Sequence, residues 1–159
     1  MLTGNTATAL ISVRPPESEQ TLATFQVYSN TDFHLMEAET PRFGVSNHGR
    51  MVMVRLDNGR LRLNLNEDEA RPFTVRLVTP QGELEIVEPG QYAVVVTPED
   101  TQVTVQTGEA DILAAGEVLR LLPESRARIP TGSPPLGPLG TERNLIAMVT
   151  LAAAANSGF

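Results

Sequence analysis

The chain of 159 residues carries twelve basic against nineteen acidic side chains, a formal net charge of −7, with 41% hydrophobic residues and no cysteine. That length suits a single domain with its own core, and the missing thiols exclude disulfides, Cys-ligated zinc, iron–sulfur clusters and a thiol nucleophile. Every basic residue is arginine, which excludes Schiff-base lysine chemistry, and an acidic balance without a dense arginine run argues against nucleic acid as a partner.

Taken in chain order, residues 1–22 read as a flexible lead-in broken by Pro15-Pro16-Glu17-Ser18-Glu19. Met1 to Gln20 shows neither the basic start nor the continuous apolar core of a signal peptide. Residues 23–130 read as the folded unit, because turn-forming groups recur there every few residues and the pieces between them alternate apolar and polar side chains, the period of a half-buried strand. Thr24–Tyr28 and Phe33–Met36 form a weak pair around Ser29-Asn30-Thr31-Asp32. The Asn58-Gly59 dipeptide accepts positive φ at both positions, so it predicts a type I′ hairpin joining Met51–Leu56 to Arg60–Leu65. Further strands follow at Leu84/Ile86, Val103/Val105 and Ala127/Ile129, each apolar on alternate positions. Met51-Val52-Met53-Val54 and Ala93-Val94-Val95-Val96 are apolar on both faces, which places them centrally or under a cover.

Pro130 to Gly140 is dense in Pro and Gly, so residues 131–140 read as a linker. Beyond it, residues 141–159 turn Ala- and Leu-rich, and Glu142–Ala155 reads as a short C-terminal helix with Thr141 as N-cap. Its apolar run, Leu145 to Ala155, falls short of the roughly 20 residues of a membrane-spanning helix. The expected fold class is therefore all-β: a two-layer sandwich, or a roll-like or short solenoid arrangement, of about 9–11 short, mostly antiparallel strands. The fold-signature turns are Asn58, Gly59, Pro80, Gly82, Pro89, Gly90, Gly108 and Gly116.

Reactive constellations are sparse. His34 and His48 are the only histidines and lack a clustered metal-ligand spacing, so His34 reads as a surface-facing strand residue and His48 as a turn residue. Glu67-Asp68-Glu69 lacks the spaced oxygens and turning glycine of a calcium loop and reads as a solvated hairpin tip. Glu83 and Glu85 share a strand face roughly 7 Å apart, a separation open to paired-carboxylate hydrolysis, yet alternation alone places such pairs on any wet strand. There is no Gly-x-Ser-x-Gly elbow, P-loop or Gly-x-Gly-x-x-Gly. With no Trp, two Tyr and five Phe, and Phe73 and Tyr92 in apolar strand phase, little remains for a sugar-stacking platform. No catalytic residue, metal ligand or cofactor is expected.

The order Gly59-Arg-Leu-Arg-Leu, Arg71-Pro-Phe-Thr-Val, Thr79-Pro-Gln-Gly-Glu-Leu-Glu-Ile, Pro89-Gly-Gln-Tyr-Ala-Val, Thr101-Gln-Val-Thr-Val-Gln-Thr-Gly-Glu-Ala-Asp-Ile and Ala115-Gly-Glu resembles the FecR-type extracytoplasmic regulator domain. The resemblance implies all-β packing, no enzymatic activity, a position in the periplasm or at the cell surface, and a protein partner. Members of that family are often tethered to a membrane within a longer chain. The expectation is thus a non-catalytic β module serving interaction, sensing or structure in a signalling or surface protein, with a carbohydrate- or cell-wall-binding module as the alternative.

Overall fold

A computed structural model describes residues 8–14, 19–39, 50–67 and 73–140. Twelve strands are formed among these residues: β1 (Ala9–Val13), β2 (Ala23–Val27), β3 (Asp32–Glu39), β4 (Arg50–Leu65), β5 (Phe73–Val78), β6 (Glu83–Ile86), β7 (Gly90–Val96), β8 (Asp100–Thr107), β9 (Ala110–Ala114), β10 (Glu117–Leu121), β11 (Ser125–Pro130) and β12 (Leu136–Gly140). No helix occurs among the described residues, and the expected C-terminal helix lies outside them.

The strands form two layers stitched by one of their number. The first half of β4 sits between β3 and β5, and that layer continues through β6 and β9 to β10. The second half sits between β2 and β7, in a layer that runs from β1 through β8 and β11 to β12. At the far side β10 comes against β11 and β12, so the layers nearly close into a barrel. Every pairing is antiparallel except β4 with β5.

The Asn58-Gly59 hairpin is not formed: both residues lie within the sixteen-residue strand β4. A straight strand of that length would span about 50 Å. Yet Phe73, paired with Arg50 at the opposite end of β4, follows Leu65 by eight residues, a gap bridging at most about 29 Å. The strand must therefore fold over on itself, and it does so at Gly59, whose φ of 110° is open to glycine. Asp57 is the extra residue of a bulge against β3, since Asp32 pairs with Asn58 and Phe33 with Leu56. The insertion switches the buried phase from Val52, Val54 and Leu56 to Leu61, Leu63 and Leu65.

The predicted pairing of Thr24–Tyr28 with Phe33–Met36 is likewise replaced. β2 pairs with the second half of β4 and β3 with the first, so the turn at Ser29–Thr31 crosses between layers. Thr31, fully buried there, accepts a hydrogen bond from the Arg60 N–H at 3.0 Å on its hydroxyl. Two segments expected to lie outside the sheet join its edges. Ala9–Val13, in the lead-in, pairs with β2, and Leu136–Gly140, in the Pro/Gly-rich stretch, pairs with β11 across a bulge. Both are edge strands, where proline and irregular register are tolerated because one row of backbone groups needs no partner.

Between the layers lies one core. Phe25, Val27, Leu63, Val94, Val103 and Ile129 from one layer meet Val54, Leu56, Val75, Leu84, Ile86 and Ile112 from the other, all almost fully buried. Each such side chain contributes about 1.5–3 kcal/mol by leaving water. The two doubly apolar segments fall on β4 and β7, which have neighbours on both sides as expected, but only one face of each is fully buried: Val52, Val54, Val94 and Val96 are, while Met51, Met53, Ala93 and Val95 are half-buried. Phe73 and Tyr92 are core residues.

Candidate functional site: the outer faces and open edges

With the core committed to packing, chemistry is left to the turns, the outer faces and the edges. Pro80 and Gly82 shape the turn between β5 and β6, Pro89 and Gly90 the entry to β7, Gly108 the turn from β8 to β9, and Gly116 the turn from β9 to β10. Gly108 has φ 87° and abuts the Tyr92 hydroxyl so closely that no Cβ fits. These turns hold the strands rather than forming one site.

The Thr79-Pro80-Gln81-Gly82 turn does carry a buried polar tie between the layers. The Thr101 hydroxyl, fully buried at the start of β8, lies 2.7 Å from Gln81 Oε1 and 2.9 Å from Thr79 Oγ1. Gln81 donates through Nε2 to the Thr97 carbonyl at 3.0 Å, while Thr79 Oγ1 accepts from the Gly82 N–H at 3.1 Å. Buried polar atoms without such partners would be costly. Tyr92 works similarly at the opposite end of β7: its hydroxyl lies within hydrogen-bonding reach of the Glu88 and Glu109 carbonyls, at 2.5 and 3.1 Å. Burial pushes its pKa up to about 12.

On the outer face of the first layer, charges answer one another across strands. Arg76, Glu85, Asp111 and Arg120 stand in one cross-strand row over β5, β6, β9 and β10. Arg76 reaches both Glu83 and Glu85, at 3.2 and 3.3 Å, and Arg120 pairs with Asp111 at 2.9 Å. The Glu83/Glu85 pair weighed for hydrolysis is thus tied up by a guanidinium. Beside it Leu113 and Val118 oppose each other across β9 and β10, and both are exposed.

His34 lies on the surface of β3, half-exposed as its strand phase predicts. Its Nε2 is 2.6 Å from Asp32 Oδ1 and 3.6 Å from Asp57 Oδ2. This grouping, gathered by the β4 bulge, offers ligand types a divalent ion accepts, but Arg55 Nε donates to Asp57 Oδ2 at 3.1 Å and already supplies positive charge. The site reads as an ion-pair cluster. His48, Asp68 and Glu69 lie outside the described residues, and Glu67 is exposed.

The second layer's outer face is different. Arg128 binds Asp100, which also accepts from the Thr97 hydroxyl at 2.9 Å. The Arg128 hydrogen bond, the largest influence, holds the Asp100 carboxyl below the usual carboxylate range. Arg60 lies over the Tyr28 ring, 5.8 Å from its centroid. Arg62 and Arg126 are exposed and make no ion pair, hydrogen bond or ring contact among the described residues. Sequence reasoning did not single them out. The signal was present as arginines in the wet phase of two strands, but their alignment depends on register between β4, β7, β8 and β11.

At the side opposite the near-closure, β1 and β3 each pair with one strand only among the described residues. Leu10 on β1 is 69% exposed, and Leu35 and Met36 on β3 are 60% and 50% exposed. A strand edge with no partner among the described residues and exposed apolar side chains beside it suits the addition of a partner's strand.

No family model matches the chain, and no curated protein sequence matches it. Its fold does match solved structures. Two crystal structures of a "putative anti-sigma factor" from Parabacteroides distasonis ATCC 8503, at 1.65 and 2.50 Å resolution, superpose with a TM-score of 0.62 at 18% and 19% identity. Each match covers 94% of this chain and 63% of the other, so the chain spans under two thirds of those proteins. The likeness establishes a shared all-β fold.

Proposed function

We propose that the chain is a FecR-like, non-catalytic β module that acts outside the cytoplasm by binding a protein partner within a signalling or cell-surface protein. The observation that carries this reading is the fold match over 94% of the chain to structures described as a "putative anti-sigma factor", in agreement with the FecR-like order of strands and turns. The edges of β1 and β3, each without a second strand among the described residues, supply surfaces for such a partner. Among the described residues the carbohydrate alternative finds no support in ring placement, since Phe25, Phe33, Phe73 and Tyr92 are buried and Tyr28 is covered by Arg60.

Photo-crosslinking residues placed at Leu10 and Leu35 in the full parent chain, in its own host, test the reading. A specific crosslink to one signalling protein, with sigma-dependent transcription altered when residues 8–140 are deleted, is the expected result. Turnover of a hydrolase substrate that alanine at Glu83 and Glu85 abolishes would overturn it, as would specific binding on a glycan array.

A further inference from the structure

The cross-strand register of the second layer builds a trough between unanswered arginines. Arg62 of β4, Ala93 of β7, Thr104 of β8 and Arg126 of β11 occupy one row of the outer face. The neighbouring row on the same face holds Arg60, Val95, Gln102 and Arg128. Arginines therefore flank a floor two strands wide, whose Ala93, Val95 and Thr104 are short and half-buried. Strand spacing sets the flanking backbones about 14 Å apart, room for one extended chain with guanidiniums leaning over it. A depression of about 390 Å³ opens at the Arg62 end of this row, lined by Arg62, Ala93, Thr104, Gln91, Gln106 and Glu124, and Arg126 stands outside its lining.

The charge contrast between the two outer faces gives this trough its meaning. Arg55, Arg76 and Arg120 on the first layer each have a carboxylate partner, whereas Arg62 and Arg126 have none among the described residues. In a chain of net charge −7, two unanswered cations aligned across one groove mark a place where the opposite charge arrives from outside. We propose that the trough receives an extended acidic segment of a partner protein, its carboxylates held by Arg62 and Arg126. The side-chain amides of Gln91, Gln102 and Gln106 both donate and accept, the pairing a peptide backbone needs. Among the described residues the floor of the trough offers an anionic glycan no ring to stack on, because Tyr92 beneath it is 1% exposed. Glu124, which lines the same depression, disfavours a further acid at its end.

The inference rests on the protein-binding reading above and narrows it to one face and one partner chemistry. Its test is fluorescence anisotropy at low salt with a labelled octapeptide alternating glutamate and threonine, beside its glutamine and lysine counterparts and chondroitin sulfate. The glutamate peptide should bind at least tenfold more tightly than the glutamine one, with amide shifts at Ala93 and Thr104. The double variant Arg62→Ala/Arg126→Ala, altering two exposed side chains, should weaken it about tenfold, a scale set by the modest strength of each exposed pair. Arg120→Ala, on the other face, should not. Equal binding of the glutamine peptide, indifference to the double variant, or preference for chondroitin sulfate would overturn the inference. If acidic-peptide binding fails while crosslinks at Leu10 and Leu35 persist, the trough assignment falls alone; if both fail, the protein-binding reading falls with it.

Discussion

Replacing Gly59 with alanine attacks the point where β4 changes layers. Two costs add there. Gly59 has φ 110°, and forcing an L side chain into such backbone costs about 1–3 kcal/mol. A Cβ would also lie 2.5 Å from Thr31 Cα, driving Thr31 off the buried position from which its hydroxyl accepts the Arg60 N–H. Leaving those groups badly paired costs about another 1–3 kcal/mol. The expected loss is thus about 2–6 kcal/mol, out of a total stability of about 5–15 kcal/mol. With a urea m-value of about 2 kcal/mol/M, the unfolding midpoint followed by far-ultraviolet dichroism should fall by about 1–3 M. Gly116→Ala is the matched comparison: φ is 77° there, with nothing within 4 Å of the added methyl, so only backbone strain of about 1–2 kcal/mol applies. If the two variants lose the same stability, the contact with Thr31 is not what fixes glycine in β4, and the reasoning fails.

Tyr92→Phe should cost about 1–2 kcal/mol by leaving the Glu88 and Glu109 carbonyls without the phenol. The Tyr92 pKa is raised from 10.0 to about 12, so its contribution is whole below pH 10 and is lost as pH climbs from 10 through 12. Thermal melts should show that alkaline loss, up to about 3 kcal/mol, in the parent chain and not in the phenylalanine variant. Asp100, with its pKa lowered chiefly by Arg128, contributes stability present above the unfolded carboxylate pKa and lost as pH falls through the folded value; Asp100→Asn should flatten that part of an acid titration followed by dichroism. Thr101→Val keeps the shape but strips the hydroxyl from Gln81 and Thr79, so chemical denaturation should register about 1–3 kcal/mol of loss, more than Thr104→Val on the outer face.

The alternation of Leu61, Leu63 and Leu65, or of Val103 and Val105, announces its strands because burial on one face leaves a period-two trace in the chain itself. Asn58-Gly59 shows where that trace becomes ambiguous. In a two-residue hairpin Leu56 and Leu61 would face each other on one side of the sheet; in the folded-over strand a bulge brings both to the core. The same residues satisfy both geometries, and the deciding contact, with Thr31, comes from elsewhere in the chain. Composition misled in a similar way at Leu136–Gly140, because proline and glycine mark an edge strand as readily as a linker. The Arg62/Arg126 trough was illegible for a third reason: each arginine is an ordinary wet-face residue, and their alignment across β7 and β8 follows from pairing alone.

Because β4 belongs to both layers, neither can slide past or peel from the other without opening the bend at Gly59 or breaking β4's hydrogen bonds to one of them. A load on either layer is therefore passed to the other along covalent bonds through Asn58 and Gly59, and not by side-chain packing alone.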